Sequence, residues 1–204
     1  MEIKVRKLDD AYLSIEELNH DLLDNSSNFS TDIIRLMNSI GEHWQGSDAS
    51  SYINEWTKEY DNFSTYFDGM NKITNYLQNY FVNLQVCRSR ANGNRKTGDK
   101  IKNKCAFQTL EKKPPTASYY YDEKLEQDYA ILQELCKKYA QFLDKTNNAM
   151  DGVFQNWQMG QGRKEVQEEL TTMTHFSKSV YKEMEILKDK LGTVIMNNKK
   201  ISRL

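Results

Sequence analysis

Only two prolines occur in the whole chain, adjacent at Pro114 and Pro115, so residues 1–113 and 116–204 are free of the commonest helix breaker. Uninterrupted stretches of that length favour long helices. Polarity narrows the choice further. Of 204 residues, 38% are hydrophobic and 28% charged, and the mean hydropathy is -0.80, so any core must be narrow and lined by one face of each element. A doubly wound sheet, whose buried strands need continuous apolar runs, is disfavoured. A chain of this size buries roughly 70% of its unfolded surface, enough for one ordinary domain or two small ones.

The apolar residues are spaced for helices. After a capping-box pattern at Ser14 to Glu17, a first stripe runs through Leu18, Leu22, Leu23, Phe29, Ile33, Met37 and Ile40. A second, stepping every three or four residues, runs from Ile53 and Trp56 through Tyr60, Phe63, Phe67, Met70, Ile73, Leu77 and Phe81 to Leu84. Leu125, Leu132, Leu135, Phe142, Met150 and Val153 mark a third helix, and Val166, Leu170, Met173, Phe176, Val180, Met184, Leu187, Leu191 and Val194 a fourth. The expected fold is all-α: two long helical hairpins, residues 1–86 and 119–204, forming an antiparallel four-helix bundle.

Charge separates these hairpins from what joins them. Residues 1–86 carry a net charge of -8, residues 87–118 carry +7 and residues 119–204 are balanced. The middle segment holds both prolines, two glycines and few apolar residues, chiefly Cys105, Phe107 and Leu110, and reads as a basic linker. Its cations suit nucleic acid or an anionic membrane, but Phe107 is its one aromatic, which leaves no stacking platform. The plainer expectation is intramolecular: a +7 segment tethered to a -8 hairpin lies against it.

Sliding the chain on itself by 113 residues superposes Leu22 on Leu135, Phe29 on Phe142, Met37 on Met150, Trp44-Gln45 on Trp157-Gln158 and Phe63 on Phe176. A duplication accounts for this. The shared tryptophan falls at each expected helix reversal, where a glycine follows: Trp44-Gln45-Gly46 in the first hairpin and Trp157-Gln158-Met159-Gly160-Gln161-Gly162 in the second. Glycine permits the positive φ of a chain reversal, and a tryptophan can close the end of a narrow apolar seam.

A hairpin of two long helices with Trp-x-Gly at its turn resembles the WXG family of ESAT-like proteins associated with type VII secretion. The first hairpin matches the pattern, and the second departs from it by one extra residue before Gly160. The resemblance implies a non-enzymatic protein of a type VII secretion system, either an exported substrate or the partner or targeting chaperone of a larger effector. It implies a protein partner, effector or secretion ATPase. It also implies pairing of two hairpins, here within one chain or as a homodimer. Trp44, Gly46, Trp157, Gly160 and Gly162 are its candidate recognition residues. The family's Tyr-x-x-x-Asp/Glu export element has a letter match at Tyr181 and Glu185, inside helix four and 24 residues after Trp157. A helical adaptor unrelated to secretion is the alternative, and a membrane-active helical protein ranks below it.

No stretch approaches 18 consecutive apolar residues, and the opening MEIKVRKLDD has no apolar run behind it, so neither a membrane span nor a cleavable signal peptide is expected. The resemblance then implies synthesis in a bacterial cytoplasm and export, where it occurs, without such a peptide. Cys87, Cys105 and Cys136 lack metal-site spacing, and His20, His43 and His175 are scattered, so no metal or other cofactor is expected. His43, beside Trp44, reads as a helix C-terminal cation rather than a catalytic base. With no phosphate-binding loop and no nucleophile elbow, no small-molecule substrate or enzymatic activity is expected.

Overall fold

The computed structural model describes residues 7–91, 93, 100–110, 118–157 and 160–201. Among these residues four long helices run in order: α1 Leu8–His43, α2 Ser47–Ala91, α3 Leu125–Asn156 and α4 Gln161–Ile201. Two short strands, β1 Trp44–Gln45 and β2 Tyr120–Tyr121, pair antiparallel with Trp44 opposite Tyr121 and Gln45 opposite Tyr120. The chain is therefore all-α in class, with a short β pairing at the first helix reversal. None of the described helices is long and apolar enough to cross a membrane.

Helix ends differ from the periodicity at both termini. Ser14 lies inside α1, which begins at Leu8, so the pattern from Ser14 to Glu17 caps nothing. The reason is that Leu8, Ala11 and Ile15, all buried, carry the apolar stripe backwards. Asp9 and Asp10 in the first turn then complement the helix dipole. At the other end α2 runs on through Cys87 to Ala91, into the segment read as a linker.

Two compact units divide the chain, and each draws on all four helices. The first comprises Met1–Ser26, Tyr66–Ala106 and Phe142–Phe176. Its core holds Leu22, Phe67, Leu77, Phe81, Met150 and Trp157, with Phe67 stacked on Phe142 at 5.1 Å between ring centroids. Leu170, Met173 and Phe176 on α4 are only half-buried here, although they lie on the expected stripe. The second unit comprises Ser27–Thr65, Phe107–Gln141 and Ser177–Leu204. Phe29, Phe63 and Tyr139 meet at its centre, Tyr139 lying 4.6 Å from Phe63 and edge-on to Phe29 at 5.6 Å.

The cysteines sort by environment. Cys105 and Cys136 are buried and Cys87 is exposed. Burial raises the Cys105 thiol, and burial together with the neighbouring Glu185 carboxylate pushes that of Cys136 up to about 12. Since the thiolate is the reactive form, Ellman's reagent at pH 8 should titrate Cys87 promptly in the native protein and all three cysteines after denaturation. Three fast thiols in the native state would contradict this burial.

Candidate functional site

At the first reversal, in the second unit, Trp44 is 3% exposed and its ring centroid lies 5.6 Å from that of Tyr52. Gly46 has φ +119°, a region that side-chain-bearing residues rarely adopt, and a Cβ there would stand 3.6 Å from the Tyr119 backbone. The Gly46 carbonyl accepts from the Ser50 amide and hydroxyl at 3.0 and 2.9 Å, which locks the first turn of α2. Beside it, His43 ends α1. Its Nδ1 lies 2.7 Å from Oδ2 of Asp128, while the Ser39 hydroxyl donates to Oδ1 at 2.6 Å. Asp128 is 1% exposed, so these two groups replace the water its carboxyl has lost. His43 thus serves a buried carboxyl on α3, a partner that the C-terminal-cation reading does not foresee. A cleft next to Trp44 is lined by Tyr52, Ile186 and Val194 and spanned by the Lys190–Glu55 ion pair at 2.6 Å.

The second reversal, in the first unit, buries Trp157 completely. Its ring lies 5.0 Å from Tyr80 and 5.8 Å from Phe81, and stacks at 6.2 Å on Phe154. Gly160 takes φ +134°. Arg163 closes the turn by donating from Nε to the Trp157 carbonyl at 2.5 Å while its guanidinium covers the Phe154 ring at 5.3 Å. Gly162 differs from the other two glycines: it lies within α4 at ordinary φ, and its need is close approach, since a Cβ would meet the Tyr76 hydroxyl at 3.1 Å. Gln158 and Met159 lie outside the described residues.

Tyr181 and Glu185, the letter match to an export element, lie on α4 in the second unit, where Glu185 pairs with Lys188 and lies against the buried Cys136. Tyr181 is half-buried beside the same groups. Among the described residues no group of three or more His, Cys, Asp or Glu could hold a metal ion.

Sequence periodicity misses a polar row in the first unit. Asn71, Asn75 and Asn79 recur every four residues on α2 and face an extended segment that begins at Lys100. Asn79 donates from Nδ2 to the Ile101 carbonyl and accepts at Oδ1 from the Ile101 amide, both at 2.8 Å. Asn75 repeats the pattern on Asn103, donating to its carbonyl at 2.8 Å and accepting from its amide at 3.1 Å. Asn71 adds a bond to the Asn103 carbonyl at 2.9 Å, and Cys105 points its thiol at the Phe67 carbonyl. Behind the row, Asn19 donates to Gln78 at 2.8 Å, Thr74 donates to Asn19 at 3.2 Å, and Asn75 donates to Asn71 Oδ1 at 3.2 Å. In the second unit the continuation is held likewise, with the Gln108 amide donating to Ser30 Oγ at 2.9 Å and Tyr60 donating to the Gln108 carbonyl at 2.6 Å.

The stretch expected to be a linker is therefore not one uniform segment. Residues 87–91 finish α2, residues 100–110 form a bound strap, and residues 92, 94–99 and 111–117 lie outside the described residues. Two sequence signals mark the strap. One is three asparagines at helical spacing, poor helix formers unless they bond to something. The other is the alternation of Ile101, Asn103, Cys105 and Phe107 with Lys102, Lys104, Ala106 and Gln108. No family model, curated protein or solved structure matches this chain.

Proposed function

We propose that the chain is a non-enzymatic, tandem WXG-like protein of a type VII secretion system, built as an antiparallel four-helix bundle and acting as exported substrate or as partner or targeting chaperone of a larger effector. The observation that carries the reading is the pair of reversals: each places a buried tryptophan ahead of a glycine at positive φ, between two long helices. Duplication is supported by burial of both members of the pairs Leu22/Leu135, Phe29/Phe142, Met37/Met150 and Trp44/Trp157. Antiparallel packing is supported within each unit. In the first, Asp9 meets Gln85 and Asn19 meets Gln78, so residue numbers rise on α1 as they fall on α2. In the second, Glu126 meets Lys199 and Gly192 lies against Tyr129, so they rise on α3 as they fall on α4.

Such a protein works by presenting helical surface to another protein, and it contributes no reacting group. In producing cells it should be found in the culture medium, or bound to a large secreted protein that needs it for export. Deleting the membrane ATPase of the secretion system should remove the chain from the medium if it is a substrate, or remove its large partner from the medium while their complex persists in the cell if it is a chaperone. If that deletion changes neither the chain's own export nor that of any bound protein, the chain belongs to the alternative class, a helical adaptor unrelated to secretion.

A further inference from the structure

The asparagine row reads main chain. All five of its bonds to the strap go to backbone amides and carbonyls, and Asn79 and Asn75 each engage both groups of a single residue. A side-chain carboxamide offers the same donor and acceptor as a peptide group, so Asn79 and Asn75 each imitate one rung of a β ladder. The spacings agree. Four helical residues advance by about 6 Å and two extended residues by about 6.6 Å, so asparagines at i and i+4 meet alternate residues of an extended chain. The mismatch of roughly 0.6 Å per step accumulates, and at the third rung Asn71 returns to the Asn103 carbonyl instead of reaching residue 105.

The row is also held ready. Asn71 is 6% exposed and steers Asn75 through their mutual bond, and the buried Asn19, Thr74 and Gln78 hold one another behind it. What it leaves to side chains is a pattern. Ile101 and Asn103 are half-buried and Cys105 buried, while Lys100, Lys102, Lys104 and Ala106 are exposed.

We propose that the Asn71, Asn75 and Asn79 row is a binding site for extended polypeptide, that residues 101–105 occupy it as an internal ligand, and that a partner segment of the same chemistry takes their place. That segment is extended, has apolar or uncharged polar residues at alternate positions, as Ile101, Asn103 and Cys105 are, and carries lysines between them. Main-chain bonds of this kind supply affinity to any extended chain, and the alternate side chains supply selectivity. The strap competes in cis at high effective concentration, so the site is masked until a partner peptide displaces it. The site rests on its own geometry and does not depend on the secretion reading.

The test uses the full chain and a fluorescent peptide with the sequence of residues 99–107, carrying Cys105→Ser. In the Ile101→Pro/Asn103→Pro variant the internal segment loses both N–H donors to the row. Fluorescence anisotropy should show this variant binding the peptide at least tenfold more tightly than the unaltered protein. Adding Asn75→Leu and Asn79→Leu should reverse the gain, as should N-methylation of the peptide at its Ile101 and Asn103 amides. Equal affinity for a scrambled peptide of identical charge would overturn the proposal and leave only attraction between lysines and an acidic surface. So would a proline variant that melts cooperatively yet binds no more tightly than the unaltered protein. Should the proline variant fail to fold, the unaltered protein decides the question: saturating peptide should speed hydrogen exchange at the Ile101 and Asn103 amides at least threefold, and unchanged exchange overturns the idea.

Discussion

Trp157→Ala is expected to destabilise the protein by about 3 to 5 kcal/mol, the usual cost of truncating a large aromatic inside a core. The ring is wholly buried among Tyr80, Phe81 and Phe154, and its removal opens a cavity that the fixed turn at Gly160 resists closing. For a chain of this size the melting temperature should fall on the order of 10 °C. Trp44→Ala should cost a similar amount, about 3 to 5 kcal/mol, because that ring is 3% exposed and packs on Tyr52. The β pairing at Trp44 is main-chain and survives the substitution. Trp→Phe at either site fills part of the space and should recover about half of the loss. Thermal melts decide the matter: a tryptophan whose loss leaves the melt unchanged is no core residue and acts through a partner.

That distinction bears on the WXG resemblance. Both tryptophans are accounted for by packing within their own units, so their presence at the turns needs no external ligand to explain it. Recognition, if it uses these turns, runs through what the tryptophans position. The cleft lined by Tyr52, Ile186 and Val194 beside Trp44 is one such surface.

The helices are legible because burial on one face of a helix leaves a period of three to four residues in the sequence, and every stripe from Leu18 to Val194 lies in one of the four helices. Their ends are less so. Ser14 resembles a cap only when the stripe is started at Leu18, after the buried Ala11 and Ile15. Polar burial does not show in the apolar stripe. Asn19, Thr74, Gln78 and Asp128 are each under 5% exposed, and each is tolerated because a partner replaces water, a fact that residue type alone does not reveal. The strap is hidden by its own composition. Cations, glycines and prolines around residues 87–118 read as solvated, yet Ile101 and Asn103 dock through their main-chain groups, which composition cannot report.

Asp128→Ala is expected to cost about 2 to 5 kcal/mol, roughly 1 to 3 kcal/mol for each of the two hydrogen-bond partners left unsatisfied in a buried site. The carboxyl is 1% exposed and both of its oxygens are engaged, one by Ser39 and one by His43, so alanine strands a hydroxyl and an imidazole at an emptied site. Because Asp128 belongs to α3 while Ser39 and His43 belong to α1, the loss falls on a tie between the two hairpin sequences inside the second unit. Asp128→Asn keeps the shape and one acceptor oxygen, and should cost less, about 1 to 2 kcal/mol. A double-mutant cycle of Asp128→Asn with His43→Gln isolates the pair, and a coupling energy of at least about 1 kcal/mol is expected for groups in direct hydrogen-bond contact. Hydrogen exchange gives the location: amides near His43 and at the α3 start should lose protection in Asp128→Ala before those of the Asn71 to Asn79 row, which belong to the other unit. An Asp128→Ala protein within about 0.5 kcal/mol of the unaltered chain, a change no larger than a typical surface substitution makes, would mean that water reaches the carboxyl and that the tie contributes nothing to the fold.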